Sequence, residues 1–566
     1  MAKAEQTDGR EPMAWSDVDW TAAEAVVRRI QNRIFRAAKA GDGPRVKNLQ
    51  KLLVRSRSAK LLAIRQVTQR NAGRNTPGID GVVCTTPEDR VRLLENGLEL
   101  KGYKPKPVRR VYIPKAGKPG RFRPLGIPTV KDRVMQAVVK LALEPEWETR
   151  FEANSYGFRP GRCAMDAVEA IYIALGQKGS SRWILDADIS GCFDGIAHQP
   201  LLAKLPIFTR TIERWLKAGS IDMGTWSASE AGTPQGGIIS PLAANVALDG
   251  MERLFGCEDR DGNPVKAVTK KGMDKSVVLI RYADDFLVTA PSKEILEQHV
   301  LPSIEAFLAE RGLVLNREKT RIVSIDEGFN FLGFTARKFR NGKLLITPEK
   351  DKVLAHLRRI KAYLNQNKQA PAGKVVRDLA PVIRGWTLYY RHACSARTFQ
   401  YADHRVWQML WAWARRRHPT KSKRWVKARY FRPTRSRVWN FADASLPGSA
   451  ILPWHSDTRI VRHTKVKGRA SPLDPDAQLY WDERRRKRLE AQSLSRRRQE
   501  LLRTQGYACA ECGVPFDPDE DVDMMDGHHV KPRHKGGGDD TGNLRLLHRW
   551  CHHRHHQQVG YKTAEA

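Results

Sequence analysis

Hydrophobic positions change their period several times along this chain, and each change marks a different kind of element. Between residues 21 and 70, Val26, Val27, Ile30 and Ile34, then Leu49, Leu52, Leu53, Leu61 and Leu62, recur at helical spacing. Arg and Lys fill the other faces, which predicts two basic amphipathic helices. Residues 71–81 are rich in Gly, Asn and Pro and predict a loop. From about 105 to 350, short apolar runs alternate with helical stretches, as in a mixed α/β domain. Strands are expected over Trp183–Ile189, Ser276–Tyr282, Phe286–Ala290 and Arg321–Ile325. Helical periodicity returns over 350–430, now rich in Trp and Arg. Within it, residues 381–391 combine a predicted turn with an aromatic cluster and arginines.

Charge narrows the set of partners. The 566 residues carry 99 Lys plus Arg against 62 Asp plus Glu, a formal +37. Such an excess repels itself unless a polyanion neutralises it. A solvated basic surface or a membrane-surface binder would share this balance, but aromatic residues interleaved with the basic runs favour nucleic acid. The stretch 411–500 holds 24 Lys or Arg against 8 Asp or Glu, with five prolines beyond residue 430, and reads as a basic linker or small nucleic-acid module. No run reaches the ~18 apolar residues of a membrane helix, and the N-terminus has no signal-peptide pattern. The expected setting is therefore the cytoplasm or an organellar interior.

Two clusters carry chemistry. Two-metal nucleotidyl transfer needs carboxylates from separate elements around a pair of Mg²⁺ ions. The predicted strand over 183–189 ends in acid at Asp188, and an apolar hairpin carries Asp284-Asp285 at its tip. Adjacent carboxylates repel without a cation, although a solvated turn also carries Asp-Asp. In the second cluster, Cys509-Ala-Glu-Cys512 and His548-Arg-Trp-Cys551 pair soft ligands as in a structural Zn²⁺ site. The other five cysteines are scattered, and eight of the sixteen histidines lie beyond residue 527.

The order of the surrounding motifs resembles the reverse transcriptases of group II intron-encoded proteins, from about residue 70 to the C-terminus. The blocks are Arg121-Phe122-Arg123-Pro124, Ser155-Tyr156-Gly157-Phe158-Arg159-Pro160, Asp188 with Phe193, Gly232-Thr233-Pro234-Gln235-Gly236, Tyr282-Ala283-Asp284-Asp285, Asn316-Arg317-Glu318-Lys319 and Phe331-Leu332-Gly333-Phe334. The resemblance implies that Asp188 and Asp284, with Asp285 a weaker third, hold the catalytic Mg²⁺. It implies that Phe193 selects deoxynucleotides and that Gln235 lines the nucleotide and template site. Lys115 and Arg123 are candidates to clamp the dNTP triphosphate or to contact the template.

Arg384, Trp386, Tyr389, Tyr390 and Arg391 resemble the maturase (X) region, which also forms the thumb, and imply binding of the host intron RNA. Gly527-His528-His529, Asn543 and His552 resemble an HNH endonuclease, against the simpler alternative of a zinc knuckle that only binds nucleic acid. His529 is then the general base, His528 and His552 hold a divalent ion, and Asn543 braces the loop. The third ligand is open among His553, His555 and His556.

The expected architecture is multidomain α+β. It comprises an N-terminal basic helical extension (1–70), right-hand fingers and palm (71–350), an α-helical thumb/maturase domain (351–430), a basic DNA-binding segment (431–504) and a ββα-metal HNH module (505–566). The implied function joins splicing assistance, target-DNA nicking and reverse transcription within a lariat ribonucleoprotein. A defence or diversity-generating reverse transcriptase, or a maturase with a decayed polymerase, are the alternatives.

Overall fold

The computed structural model describes residues 14–114, 120, 122–256, 277–434, 437–443, 450–492, 494–518 and 521–559. The predicted N-terminal helix pair is three helices, Trp20–Lys39, Gly43–Arg55 and Arg57–Arg65, followed by a π-turn over Gln66–Arg70. The breaks fall where side chains cap. Asp19 accepts from the Ala22 amide and Asp42 from the Arg45 amide, while Ser56 adopts an extended conformation between the second and third helices. The apolar stripes of these helices do not form a separate body. Ile34, Leu53 and Ile64 share one core with Val134, Leu185 and Val288.

Strands β1 (Val108–Pro114) and β2 (Phe122–Ile127) form an antiparallel pair. β3 (Trp183–Asp188) opens the central sheet, and β4 (Ser220–Asp222) and β5 (Thr225–Ser227) extend the first, in the order β2-β1-β4-β5. β6 (Val278–Tyr282), β7 (Asp285–Ala290) and β8 (Arg321–Ser324) complete the central sheet as β6-β7-β3-β8. This sheet separates two cores. Leu185, Leu279, Phe286 and Val288 face one, and Ile184, Ile280 and Leu287 face the other. Burial of both faces explains why these strands read as unbroken apolar runs rather than as alternation.

β9 (Phe329–Phe331), β10 (Phe334–Lys338) and β11 (Leu344–Pro348) lead into helices Lys350–Gln366, Ala372–Tyr390 and Ala396–Arg417. The turn predicted within 381–391 is absent. Pro381 and Gly385 lie inside the helix Ala372–Tyr390, held there by a packed face of Val376, Leu379 and Ile383. β12 (Phe431–Arg432) and β13 (Asn440–Phe441) form a small hairpin against that core.

The basic stretch that follows is docked rather than a free linker. Asp166 is fully buried and accepts from His463, Arg484 and the Val466 amide, each at 2.9 Å. Asp403 accepts from the imidazole Nδ1 of His455 at 2.8 Å. At the C-terminus, β14 (Met525–His529) and β15 (Leu544–His548) pair antiparallel and precede helix Arg549–Val559, a ββα unit. Its core also takes in Leu489, Leu501 and Leu502, upstream of the boundary expected at 505. Among the described residues, no helix is long and apolar enough to cross a membrane.

Candidate active sites

The ends of β3 and β7 bring the acids together. Asp188 lies directly opposite Asp285 in the antiparallel register, and Tyr282 pairs with Asp285 across the two-residue turn Ala283-Asp284. Ala283 takes φ +59°, the left-handed region that favours glycine. Neighbouring groups hold that turn. Arg281, buried, donates to the Ala283 carbonyl at 3.2 Å and to Asn245 Oδ1 at 3.1 Å, and Asn245 in turn donates to the Gly157 carbonyl at 2.8 Å. The Tyr156 amide bonds to the Arg281 carbonyl. Gly157 then packs so closely that a Cβ there would lie 2.3 Å from the Ala283 nitrogen.

A cleft of about 1530 Å³ is lined by Asp188, Asp284, Asp285, Phe193, Gln235 and Arg123, among others. Burial and the neighbouring Asp188 push the Asp284 carboxyl up. Burial, Asp284 and Asp188 push Asp285 up to about 7. Clustered carboxyls whose mutual repulsion a cation would relieve are a donor set suited to divalent cations. Lys319, to which the sequence assigned no role, sits on Asp188 at 2.5 Å, with Asn316 Nδ2 at 3.4 Å from the same oxygen. Phe193 meets Phe158 edge to face at 6.0 Å. The Gln235 amide donates to Asp194 at 3.2 Å. Arg123 is exposed on β2, and Lys115 lies outside the described residues.

The five maturase-region candidates separate by burial. Trp386 stacks on His356 at 4.6 Å, and Tyr390 packs against Phe334. Arg391 is buried and donates to the Ala491 carbonyl at 2.5 Å. Those three are taken up by internal packing, which leaves Arg384 and Tyr389 exposed. The aromatic periodicity that suggested stacking surfaces belongs in part to the core.

In the C-terminal module, Cys509, Cys512, His548 and Cys551 converge, all buried, with their ligand atoms within 4.8 Å of one another. His548 turns Nδ1 toward Cys512 Sγ at 3.4 Å and Nε2 toward Asp521 at 3.3 Å. Three sulfurs and an imidazole oriented by a carboxylate fit a tetrahedral zinc ion. His528, His552 and His556 form a second cluster within the same limit. Burial and the adjoining imidazoles push His528 down to about 4.

His529 faces Asp539 at 2.7 Å, and Arg533 grips both oxygens of that carboxylate at 2.7 and 2.8 Å. Asp539 was not singled out from the sequence, because its ten-residue offset from His529 matches no motif spacing. Asn543 ties the intervening loop together. It accepts from the Lys531 amide at 2.7 Å and donates to the carbonyls of Lys531 at 3.0 Å and Gly538 at 2.8 Å. A Cβ at Gly537 would fall 1.8 Å from the Lys531 oxygen, so only glycine fits the crossing.

Comparison with known proteins agrees with this order of parts. Matching families are the N-terminal domain of reverse transcriptase (residues 15–96), the reverse transcriptase (RNA-dependent DNA polymerase) (113–336), the group II intron maturase-specific domain (353–431) and the HNH endonuclease (509–558). Protein YkfC of Escherichia coli is 32% identical over 54% of this chain and 87% of its own length. The group II intron-encoded protein LtrA of Lactococcus lactis is 30% identical over 48% of this chain and 54% of its own. The chain belongs to the group II intron-encoded protein family.

As a member, it carries reverse transcriptase, maturase and HNH endonuclease domains in one polypeptide. An uncharacterized 91 kDa protein in a Schizosaccharomyces pombe cob intron is 25% identical over 61% of this chain and 51% of its own length. The chain spans about half the length of LtrA and of the fission yeast relative.

Proposed function

We propose that this protein copies its host intron RNA into DNA, priming from a strand that its own HNH module has nicked, and that it binds the same RNA to assist splicing. The observation that carries the polymerase reading is the register of Asp188 against Asp285 with Asp284 at the turn between β6 and β7. Asp188 and Asp284 would hold two Mg²⁺ ions, with Asp285 supporting. Ions held there would supply charge stabilisation for the attacking and leaving oxygens. The primer 3′ oxygen attacks the α-phosphorus of a dNTP, its proton leaves to solvent, and the bond to pyrophosphate breaks. Phe193 and Gln235 position the sugar and the template-paired base, and Arg123 with Lys115 neutralises the triphosphate.

In the nuclease, His529 takes a proton from water as it attacks the target phosphodiester. The O3′–P bond breaks and leaves the 3′ hydroxyl needed for priming. Asp539 orients His529, and Asn543 fixes the loop that carries it. His528, His552 and His556 would hold one divalent ion, and Cys509, Cys512, His548 and Cys551 a structural Zn²⁺. Arg384 and Tyr389 are the exposed candidates for intron RNA, and the basic stretch 431–504 for target DNA, within a lariat ribonucleoprotein in a bacterial or organellar interior. Its working parts follow the packing: the N-terminal helices act with the fingers and palm, the thumb takes in the hairpin of β12 and β13, and the nuclease begins upstream of 504 with Leu489, Leu501 and Leu502 in its core.

The Asp284→Ala, Asp285→Ala double variant should abolish cDNA synthesis while leaving splicing assistance, and His529→Ala should remove nicking alone. Primer extension by the double variant would overturn the polymerase assignment. Failure of the wild-type protein to raise splicing of its host RNA at low Mg²⁺ would overturn the maturase assignment.

A further inference from the structure

The zinc-binding end of the nuclease module is seated on the N-terminal helices. Thr21 Oγ donates to the Cys512 carbonyl. A Cβ at Gly513 would lie 3.6 Å from Thr21 Oγ, so the knuckle loop runs against the first turn of helix Trp20–Lys39. Trp550, between the ligands His548 and Cys551, stacks on His548 at 4.5 Å. It also lies beside the guanidinium groups of Arg70 at 4.9 Å and Arg65 at 5.4 Å. Arg65 is 1% exposed and lies between Trp550 and Trp20, with Glu24 at 3.6 Å and, for Arg70, at 3.8 Å. A desolvated guanidinium against an indole contributes more than one in water, so this contact holds the two parts together.

Glu24, Arg65 and Arg70 also line the cleft that contains Asp188, Asp284 and Asp285. The residues of the module engaged in this seat belong to its zinc end, whereas His528 and His529 lie on β14 and Asn543 just before β15, with His552 and His556 further along the helix that carries Trp550. We infer that the zinc knuckle is a docking element. It fixes the nuclease on the wall of the polymerase cleft, so that the 3′ end released by the nick passes directly into the polymerase site. The inference rests on the nick-and-prime reading for its purpose, but the docking itself does not depend on it.

Trp550→Ala and Thr21→Arg each attack the seat from one side and touch no reacting group. Both should keep stoichiometric zinc, nicking of a duplex target, and extension of a pre-annealed DNA primer on RNA. Amide exchange over Trp20–Lys39 and Arg57–Arg65 should accelerate. Coupled product, in which the nicked strand itself is extended, should fall about tenfold, because transfer then depends on the tether alone. Unchanged exchange in Thr21→Arg overturns the docking. Faster exchange with undiminished coupled product overturns its role in transfer. Should Trp550→Ala lose zinc, Thr21→Arg decides, since it leaves the module's core intact. A wild-type protein that lacks nicking or extension refutes the functional reading, and the exchange result still decides the docking.

Discussion

Gly157→Ala tests how the polymerase hairpin is held. The added methyl would lie 2.3 Å from the Ala283 nitrogen and 3.0 Å from its Cα. Nonbonded heavy atoms at rest are ~3.5 Å apart, so one side must move by roughly 1 Å. Neither side yields readily. The segment leading into Gly157 is fixed by the Tyr156 amide on the Arg281 carbonyl at 2.9 Å and the Arg281 amide on the Asn154 carbonyl at 3.0 Å. The Ala283 side carries Asp284, already in a strained turn. A displacement of ~1 Å at a catalytic group costs on the order of 100-fold in rate, whereas overpacking costs about 1–3 kcal/mol in stability. Extension of a DNA primer on RNA should therefore fall about 100-fold while the protein stays folded. Nicking, which uses none of the groups on that hairpin, serves as the internal control. Extension at the wild-type rate with an unchanged melting temperature would refute the close packing of Gly157 on the hairpin.

Other outcomes follow from the same geometry. Lys319→Met removes the ammonium that competes for Asp188, so Mn²⁺ should bind several-fold more tightly by calorimetry; weaker binding would refute the competition. Chelation of zinc should unfold the C-terminal module, abolishing nicking and its thermal transition while extension on a pre-annealed primer persists; retained nicking would deny a structural ion. Burial, with His455 and Arg359 nearby, pushes His356 down to about 3. The unfolded chain takes a proton near pH 6.5 that the folded chain refuses, so stability present above ~6.5 is lost as pH falls toward 3, by ~1.4 kcal/mol per unit. Urea unfolding should show about 2 kcal/mol lost between pH 6.5 and 5, and less in His356→Gln; equal slopes would place the titration elsewhere.

The central sheet was legible because its strands are short apolar runs bounded by acids, and period and composition are local properties. Of the expected strand Ser276–Tyr282, Ser276 lies outside the described residues and Val278–Tyr282 is strand, while Trp183–Ile189 ended one residue earlier. The helix across Pro381 was not legible, because local breaker residues pointed one way and a packed face of Val376, Leu379 and Ile383 decided the other. Trp386, Tyr390 and Arg391 show the same limit. Composition reveals an aromatic, basic segment, but which rings meet solvent depends on neighbours distant in sequence.

The sequence by itself determined the candidate groups: Asp188 and the Asp284-Asp285 pair, the clustered cysteines and histidines, and their order along the chain. Those residue types at those spacings admit few other uses. Only the tertiary structure decided which side chains meet them and what holds their parts together. Lys319 on Asp188, Gly157 under Ala283 and Trp550 on Arg65 each join residues that lie far apart in the chain, and Asp539 meets His529 across a ten-residue loop. Such pairs arise from packing, where shape and desolvation select partners that no local period encodes.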